Sequence, residues 1–254
     1  MDLNLRGKTA IVTGGSTGIG AGISEYLANE SVDVAVNYIV DESQARGFAD
    51  MLSEKYGTRC SAVYADVSKA DDNDAMVEAV LSNYGKIDIL VNNAGIWPTE
   101  DMVEMPDDNW KRVIDICLNG PYMLSKRVVN SMVERSLPGV VINISSKSGI
   151  QVNTGGHGHY TTAKAGLNMM TKSLAIEVAG HGIRVVGIAP GMVRTPLNED
   201  KWQKSGLMDD YLARIPVGRF AEPIEIGYMA AFLASEFAFN VTGTIVDCTG
   251  GMLT

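Results

Sequence analysis

Short runs of apolar and β-branched residues alternate with stretches of helical periodicity from Thr9 onward, and this alternation restricts the fold more than any other feature. Thr9–Thr13 leads into a helix-like stretch from Ala21 to Asn29, with Ile23, Tyr26 and Leu27 on one side. Val32–Tyr38 leads into Asp41–Tyr56, where Ala45, Phe48, Ala49 and Leu52 recur at helical spacing. Cys60–Ala65 leads into a helix opened by Ser68 and reaching about Tyr84, and Ile87–Val91 completes a fourth strand. Val32, Val34, Ala35 and Val36 form a nearly continuous apolar run, the pattern of a strand covered on both faces. Strands that alternate with helices in this way pair in parallel, because each crossover helix returns the chain to the same end of the sheet.

The second half repeats the pattern with longer insertions. Asp107 to about Arg135 reads as one helical region that Pro121 should interrupt or kink. Val140–Ile144 is a fifth strand, a helix runs to about Ala179, Arg184–Ile188 is a sixth strand, Pro223–Ala234 is a helix and Thr244–Asp247 a last strand. The expected fold is α/β: one domain over 1–254, a doubly wound, Rossmann-like, seven-stranded parallel sheet with helices on both faces. Residues 198–218 break the alternation, with Trp202, Leu207, Met208 and Tyr211 amid charges. An insertion at about 196–218 fits either a mobile lid over a pocket or a helical excursion packed on the core.

Charge and cysteine usage narrow the function classes. With a formal net charge of −9 and no basic stripe, the surface repels nucleic-acid phosphates and anionic membranes. Cys60, Cys117 and Cys248 are odd in number and far apart, so neither a disulfide framework nor a C-x-x-C metal spacing is expected, which points to a reducing, cytoplasmic setting. No apolar run approaches the ~18 residues of a membrane span, and the first residues lack the apolar core of a signal peptide.

The chemistry-bearing residues fall just past strand ends, where open parallel sheets bind ligands. Gly14, Gly18 and Gly20 form a G-x-x-x-G-x-G turn between the first strand and first helix, suited to close approach of a pyrophosphate to a helix N-terminus. Tyr38, Asp66 and Asn93 end the next three strands. Tyr160 and Lys164 are four residues apart, one turn on one helix face. A nearby ammonium would favour phenolate and lower the tyrosine pKa from its usual ~10, giving a proton donor and acceptor. The pair alone is common on surface helices.

Thr13-Gly14-Gly15-Ser16-Thr17-Gly18-Ile19-Gly20, Asn92-Asn93-Ala94-Gly95, Asn119, Ser146, Tyr160-x-x-x-Lys164 and Pro190-Gly191 together resemble the short-chain dehydrogenase/reductase family along essentially the whole chain. The resemblance implies a nicotinamide cofactor, and Tyr160 as general acid/base with Ser146 on the same substrate oxygen. Lys164 would hold the nicotinamide ribose and depress the Tyr160 pKa, and Asn119 would support Lys164 through a water. Cofactor contacts would come from Gly14, Ser16, Thr17, Gly18, Ile19 and Gly20, and from Asp66 and Val67 at the adenine. Asn93, Ala94 and Gly95 would lie beside the adenosine ribose, and Pro190, Gly191, Val193 and Thr195 near the nicotinamide. Family members are commonly homotetramers, with contacts expected from Asp107–Arg135, the Tyr160 helix and the C-terminal tail.

The end of the second strand, Asn37-Tyr38-Ile39, lacks the acidic residue that NAD-preferring members place on the adenosine 2′-hydroxyl, and no basic residue replaces it. Asn37, Tyr38, Ser16 and Thr17 could hydrogen-bond a 2′-phosphate, while Asp41 and Glu42 favour the unphosphorylated cofactor. The balance leans slightly to NADP(H) over NAD(H). Substrate contacts are expected from Trp97, Lys147, Ser148, Asn153, His159, Met192 and Trp202, with no metal. The polarity of the Lys147–His159 loop suggests a small alcohol or carbonyl compound such as a sugar or polyol. A carbonyl reductase for a more apolar ketone or a 3-oxoacyl substrate is the alternative, and a non-catalytic cofactor sensor or scaffold is the rival of a different class.

Overall fold

The computed structural model describes residues 2–152, 155–196, 198–199 and 208–253. Seven parallel strands form one sheet: β1 (Thr9–Val12), β2 (Asp33–Tyr38), β3 (Cys60–Tyr64), β4 (Ile89–Asn92), β5 (Gly139–Ile144), β6 (Ile183–Pro190) and β7 (Ile245–Cys248). They lie in the order β3-β2-β1-β4-β5-β6-β7. The register matches Ile11 to Ala35 on one side and to Leu90 on the other. The order reverses between β1 and β4, so the crossovers leave toward opposite faces there and open a crevice at the carboxyl ends.

The helices are α1 (Gly18–Asn29), α2 (Glu42–Tyr56), α3 (Ala70–Tyr84), α4 (Asp107–Ile114), α5 (Gly120–Glu134), α6 (Gly158–Val178), α7 (Met208–Ala213) and α8 (Pro223–Ala234). Alternate residues of each central strand face opposite layers. Ala10, Val12, Val34, Val36, Ile89 and Val91 pack toward α1 and α8, while Ile11, Ala35, Leu90 and Val141 pack toward α3, α5 and α6. Two-sided burial is why these strands read as continuous apolar runs. Helices α1 and α8 cross so closely that a Cβ on Gly227 would stand 2.5 Å from the Gly22 carbonyl.

The α-helical pattern is interrupted just before Pro121. Helix α4 does not break but passes into a π-helical turn at Asp115–Asn119, in which the Gly120 N–H donates to the Asp115 carbonyl, and α5 continues with Pro121 in its first turn. A proline has no N–H for the carbonyl four residues back and its ring crowds that group. One wider turn relieves the conflict.

Candidate active site

The turn after β1 is set by Asn37. Its Oδ1 accepts the Gly14 N–H at 3.1 Å, its backbone carbonyl accepts the Gly15 N–H, and its Nδ2 donates to the Ala65 carbonyl at 3.0 Å. Gly14 and Gly18 take φ of +58° and +52°, a region costly for residues with a Cβ. On the other side, Thr13 Oγ1 accepts the N–H groups of Asn93 and Ala94, and Asn93 Nδ2 donates to the Thr13 carbonyl. The turn is thus clamped between β2 and β4.

Helix α1 has the chemistry for an anion at its start. Thr17 makes no capping bond and the first turn holds no acid, whereas α2, α3, α4 and α8 all begin with carboxylates in their first turns. Free N–H groups, a positive dipole end and no side chain in the way fit a pyrophosphate.

A cleft of about 640 Å³ runs from this turn across the carboxyl ends of β1, β4, β5 and β6. Gly14, Thr17, Gly18 and Ile19 line one end, followed by Asn93, Ala94 and Gly95. Pro190, Gly191, Val193 and Thr195 form one wall. Ser146, Tyr160 and Lys164 meet in the middle, with Trp97, Lys147, Ser148 and Met192 beyond them. The structure therefore brings these sequence-predicted residues together.

A buried polar network fixes the loop after β5. Asn92 Nδ2 donates to Asn143 Oδ1 and Ser125 Oγ, and Asn143 Nδ2 donates to Thr171 Oγ1 on α6. Ser145 donates to Asn168, whose own Nδ2 donates to the Gly149 carbonyl. A fully paired network of this kind rigidifies what it joins, and here it holds Ser146 against α6. Ser146 meets Tyr160 in the cleft, and its Oγ accepts the Ser148 N–H.

Lys164 is buried and Tyr160 partly so, with both lining the cleft. Burial raises the Tyr160 phenol pKa, with the Cys117 thiol adding to the rise and Ser146 opposing it. Burial lowers the Lys164 pKa, against an opposing pull from Cys117. Both shifts favour uncharged forms. The expected lowering of Tyr160 by Lys164 is thus not found: the ammonium lies 5.6 Å from the ring centroid and donates instead to the Ile144 carbonyl at 2.7 Å.

Several expected contacts are placed elsewhere. Asn119 is exposed and its Nδ2 donates to Asp115 Oδ1 at 2.7 Å, on the same helical stretch rather than toward Lys164. The π-helical turn instead directs Cys117 inward, where it is wholly buried among Ile96, Tyr160 and Ala163. The sequence gives no sign that Cys117 belongs to the site, because a lone cysteine carries no spacing signal. Asn37 has its amide used by backbone groups and does not reach the cleft.

Tyr38 packs edge-on against Tyr64, with centroids 5.9 Å apart. Asp66 accepts from the Ser68 N–H and hydroxyl and pairs with Lys69, closing the turn into α3 rather than facing the cleft. Val67 is buried, its carbonyl accepting from Asn73, and Ser16 and Gly20 are outside the cleft lining. His159 is buried, with Nδ1 accepting the Tyr160 N–H.

His157 stacks on Trp97, a cleft-lining residue, with centroids 4.5 Å apart, and donates from Nδ1 to the Pro98 carbonyl. Gln44 and Asn198 also line the cleft. Asn153 and Trp202 lie outside the described residues. No helix among the described residues is long and apolar enough to cross a membrane.

Residues 14–253 match the family model described as enoyl-(acyl carrier protein) reductase. The chain is 39% identical over 249 residues to 3beta-hydroxysteroid dehydrogenase 1 of Eggerthella lenta, covering 98% of this chain and 95% of the relative. It is also 39% identical over 250 residues to glucose 1-dehydrogenase 2 of Bacillus subtilis, covering 98% and 96%. A short-chain type dehydrogenase/reductase from Mycobacterium marinum superposes with a TM-score of 0.93 at 31% identity, over 99% of this chain and 97% of that one.

Proposed function

The chain belongs to the short-chain dehydrogenase/reductase family, as an NAD(P)-dependent oxidoreductase acting on CH–OH groups, and from that premise we propose that its substrate is small and hydroxylated, such as a sugar or polyol and its keto form. The observation that carries this reading is the meeting of Ser146, Tyr160 and Lys164 in a cleft that continues into polar Lys147, Ser148 and Asn198 beside Trp97. Equal identity to a steroid enzyme and a glucose enzyme leaves the substrate to be argued from this lining.

In this reading the residues along the cleft would hold a nicotinamide cofactor, which would supply hydride-transfer chemistry at the substrate carbon. Tyr160 holds the proton at the substrate oxygen, and its raised pKa keeps it a neutral donor in the protein alone. Ser146 donates to the same oxygen and fixes its place, stabilising negative charge that develops there. Lys164, within the same enclosure, is the group to engage the nicotinamide ribose. Gly14, Thr17, Gly18 and Ile19 would hold the pyrophosphate, Asn93 to Gly95 the adenosine ribose, and Gly191, Val193 and Thr195 the carboxamide end.

The cofactor reading stays with a slight preference for NADP(H). Asp41 caps α2 by accepting the Gln44 N–H, and Glu42 pairs with Arg46. Both carboxylates are thus engaged, which weakens their case against a 2′-phosphate. A single domain, a cytoplasmic setting and a homotetramer complete the proposal, while part of the expected insertion at about 196–218 lies outside the described residues. Exposed Ile176 and Met169 on α6 and Tyr122 on α5 support the association; a monomer by solution scattering would refute it.

The test is parallel: titration with NADH and NADPH, then initial rates on sugars, polyols, a hydroxysteroid and a 3-oxoacyl thioester. Turnover of the hydroxylated set with the phosphorylated cofactor bound more tightly is expected. Turnover of only the steroid or acyl substrate would overturn the substrate assignment.

A further inference from the structure

We propose that Gln44, in the first turn of α2, reads the 2′ position of the cofactor's adenosine ribose and sets the balance between NADPH and NADH. The inference rests on the cofactor reading above and sharpens it.

The polar groups at the end of β2 are turned away from the cleft. The Asn37 amide is engaged by the Gly14 N–H and by the Val63 and Ala65 carbonyls, and Tyr38 packs edge-on against Tyr64. Strand β2 lies beside β1 in the sheet, so the start of α2 stands next to the glycine turn. Among the described residues, β2 and α2 together contribute one residue to the cleft lining, and that residue is Gln44.

Gln44 extends from a fixed backbone. Its N–H donates to Asp41 Oδ1 at 2.8 Å, the cap of α2. The residue is exposed, and its side-chain amide makes no hydrogen bond among the described residues. The charged neighbours are engaged with one another or with the helix end: Asp41 in that cap, and Glu42 with Arg46 at 2.7 Å. The first turn of α2 therefore offers the cleft an uncharged amide.

An amide can serve either form of the cofactor. Its Nε2 carries two donors and its Oε1 is an acceptor. Nε2 can donate to a 2′-phosphate, a charge-assisted bond stronger than a neutral one, and Oε1 can accept from a ribose hydroxyl. Gln44 thus favours the phosphorylated cofactor without repelling the other. A carboxylate of the same shape keeps the hydroxyl bond and repels the phosphate, and an ammonium attracts the phosphate.

The experiment is fluorescence titration of the full chain with NADPH and NADH, for the wild type, Gln44→Glu and Gln44→Lys, with adenosine 2′-monophosphate and adenosine 5′-monophosphate as competing probes. Because Gln44 is exposed, both variants should unfold close to the wild-type temperature. Gln44→Glu should lower the ratio of NADPH to NADH affinity about tenfold or more, and Gln44→Lys should raise it by a similar factor, the scale of a hydrogen bond to a charged group. Only the 2′-monophosphate should follow the NADPH shift, since it carries that phosphate without the pyrophosphate. A ratio that neither variant moves would overturn the inference. So would an equal change in affinity for both cofactors or for both monophosphates, which would set Gln44 at the pyrophosphate instead. Tighter NADH binding by the wild type, with the ratio still shifted in opposite directions by the two variants, sinks the NADP(H) preference alone. Tighter NADPH binding with a ratio that neither variant moves sinks the role of Gln44 alone.

Discussion

Lys164 stands one helical turn from Tyr160 on α6, yet its ammonium donates to the Ile144 carbonyl at 2.7 Å and lies 5.6 Å from the Tyr160 ring centroid. The lysine that sequence spacing sets beside the tyrosine is therefore held by a strand backbone. Desolvation dominates both groups, raising one pKa and lowering the other. The pair in the protein alone is a neutral phenol beside a destabilised ammonium.

Tyr160→Phe removes the proposed proton donor while keeping the ring packed against Cys117 and Ala163. Turnover should fall by ~10²–10⁴, the usual scale of general acid–base catalysis, with cofactor affinity close to wild type. Near-normal kcat in this variant would rule out the proton-transfer role.

Lys164→Met should change the pH dependence of stability. The Lys164 pKa is lowered in the folded protein from 10.5, so the folded state binds fewer protons than the unfolded one as pH falls below that value. The wild type accordingly loses stability as pH falls through the lowered pKa, and that loss is absent in the variant. Urea unfolding at neutral pH and above the ordinary lysine value should show the methionine variant gaining relative stability at the lower pH. A difference independent of pH would show that Lys164 titrates normally.

Gly20→Ala places a methyl against the Gly14 carbonyl and Asn93 Nδ2. Relief requires the glycine turn to shift, so a loss of about 1–3 kcal/mol in stability and a marked loss of cofactor affinity are expected together. Thermal unfolding with and without cofactor reads both, and unchanged cofactor affinity would count against the assigned pyrophosphate site.

Tyr38→Asp puts a carboxylate at the end of β2, where the residue in place has no charge. Like charges repel a 2′-phosphate, so the ratio of NADPH to NADH affinity should drop at least about tenfold, or ~1.4 kcal/mol. An unchanged ratio would show that the adenosine 2′ position lies away from Tyr38.

The sequence by itself determined the layers and the location of the site. Continuous apolar strands such as Val34–Val36 require two covered faces, and the glycine turn must lie between a strand and a helix; both follow from local periodicity and backbone sterics. The helix from Pro223 to Ala234 was legible to the residue. What only the tertiary structure decided is the direction in which each polar side chain turns. Asn37 is drawn to Gly14, 23 residues away, and Lys164 to Ile144, 20 residues away. Asn119 is taken by its neighbour Asp115, and the π-helical turn before Pro121 presents Cys117 to Tyr160 in its stead. A buried donor must find an acceptor or pay its desolvation. Acceptors come from whichever distant strand or loop packs alongside, so periodicity can place the residue but not choose its partner.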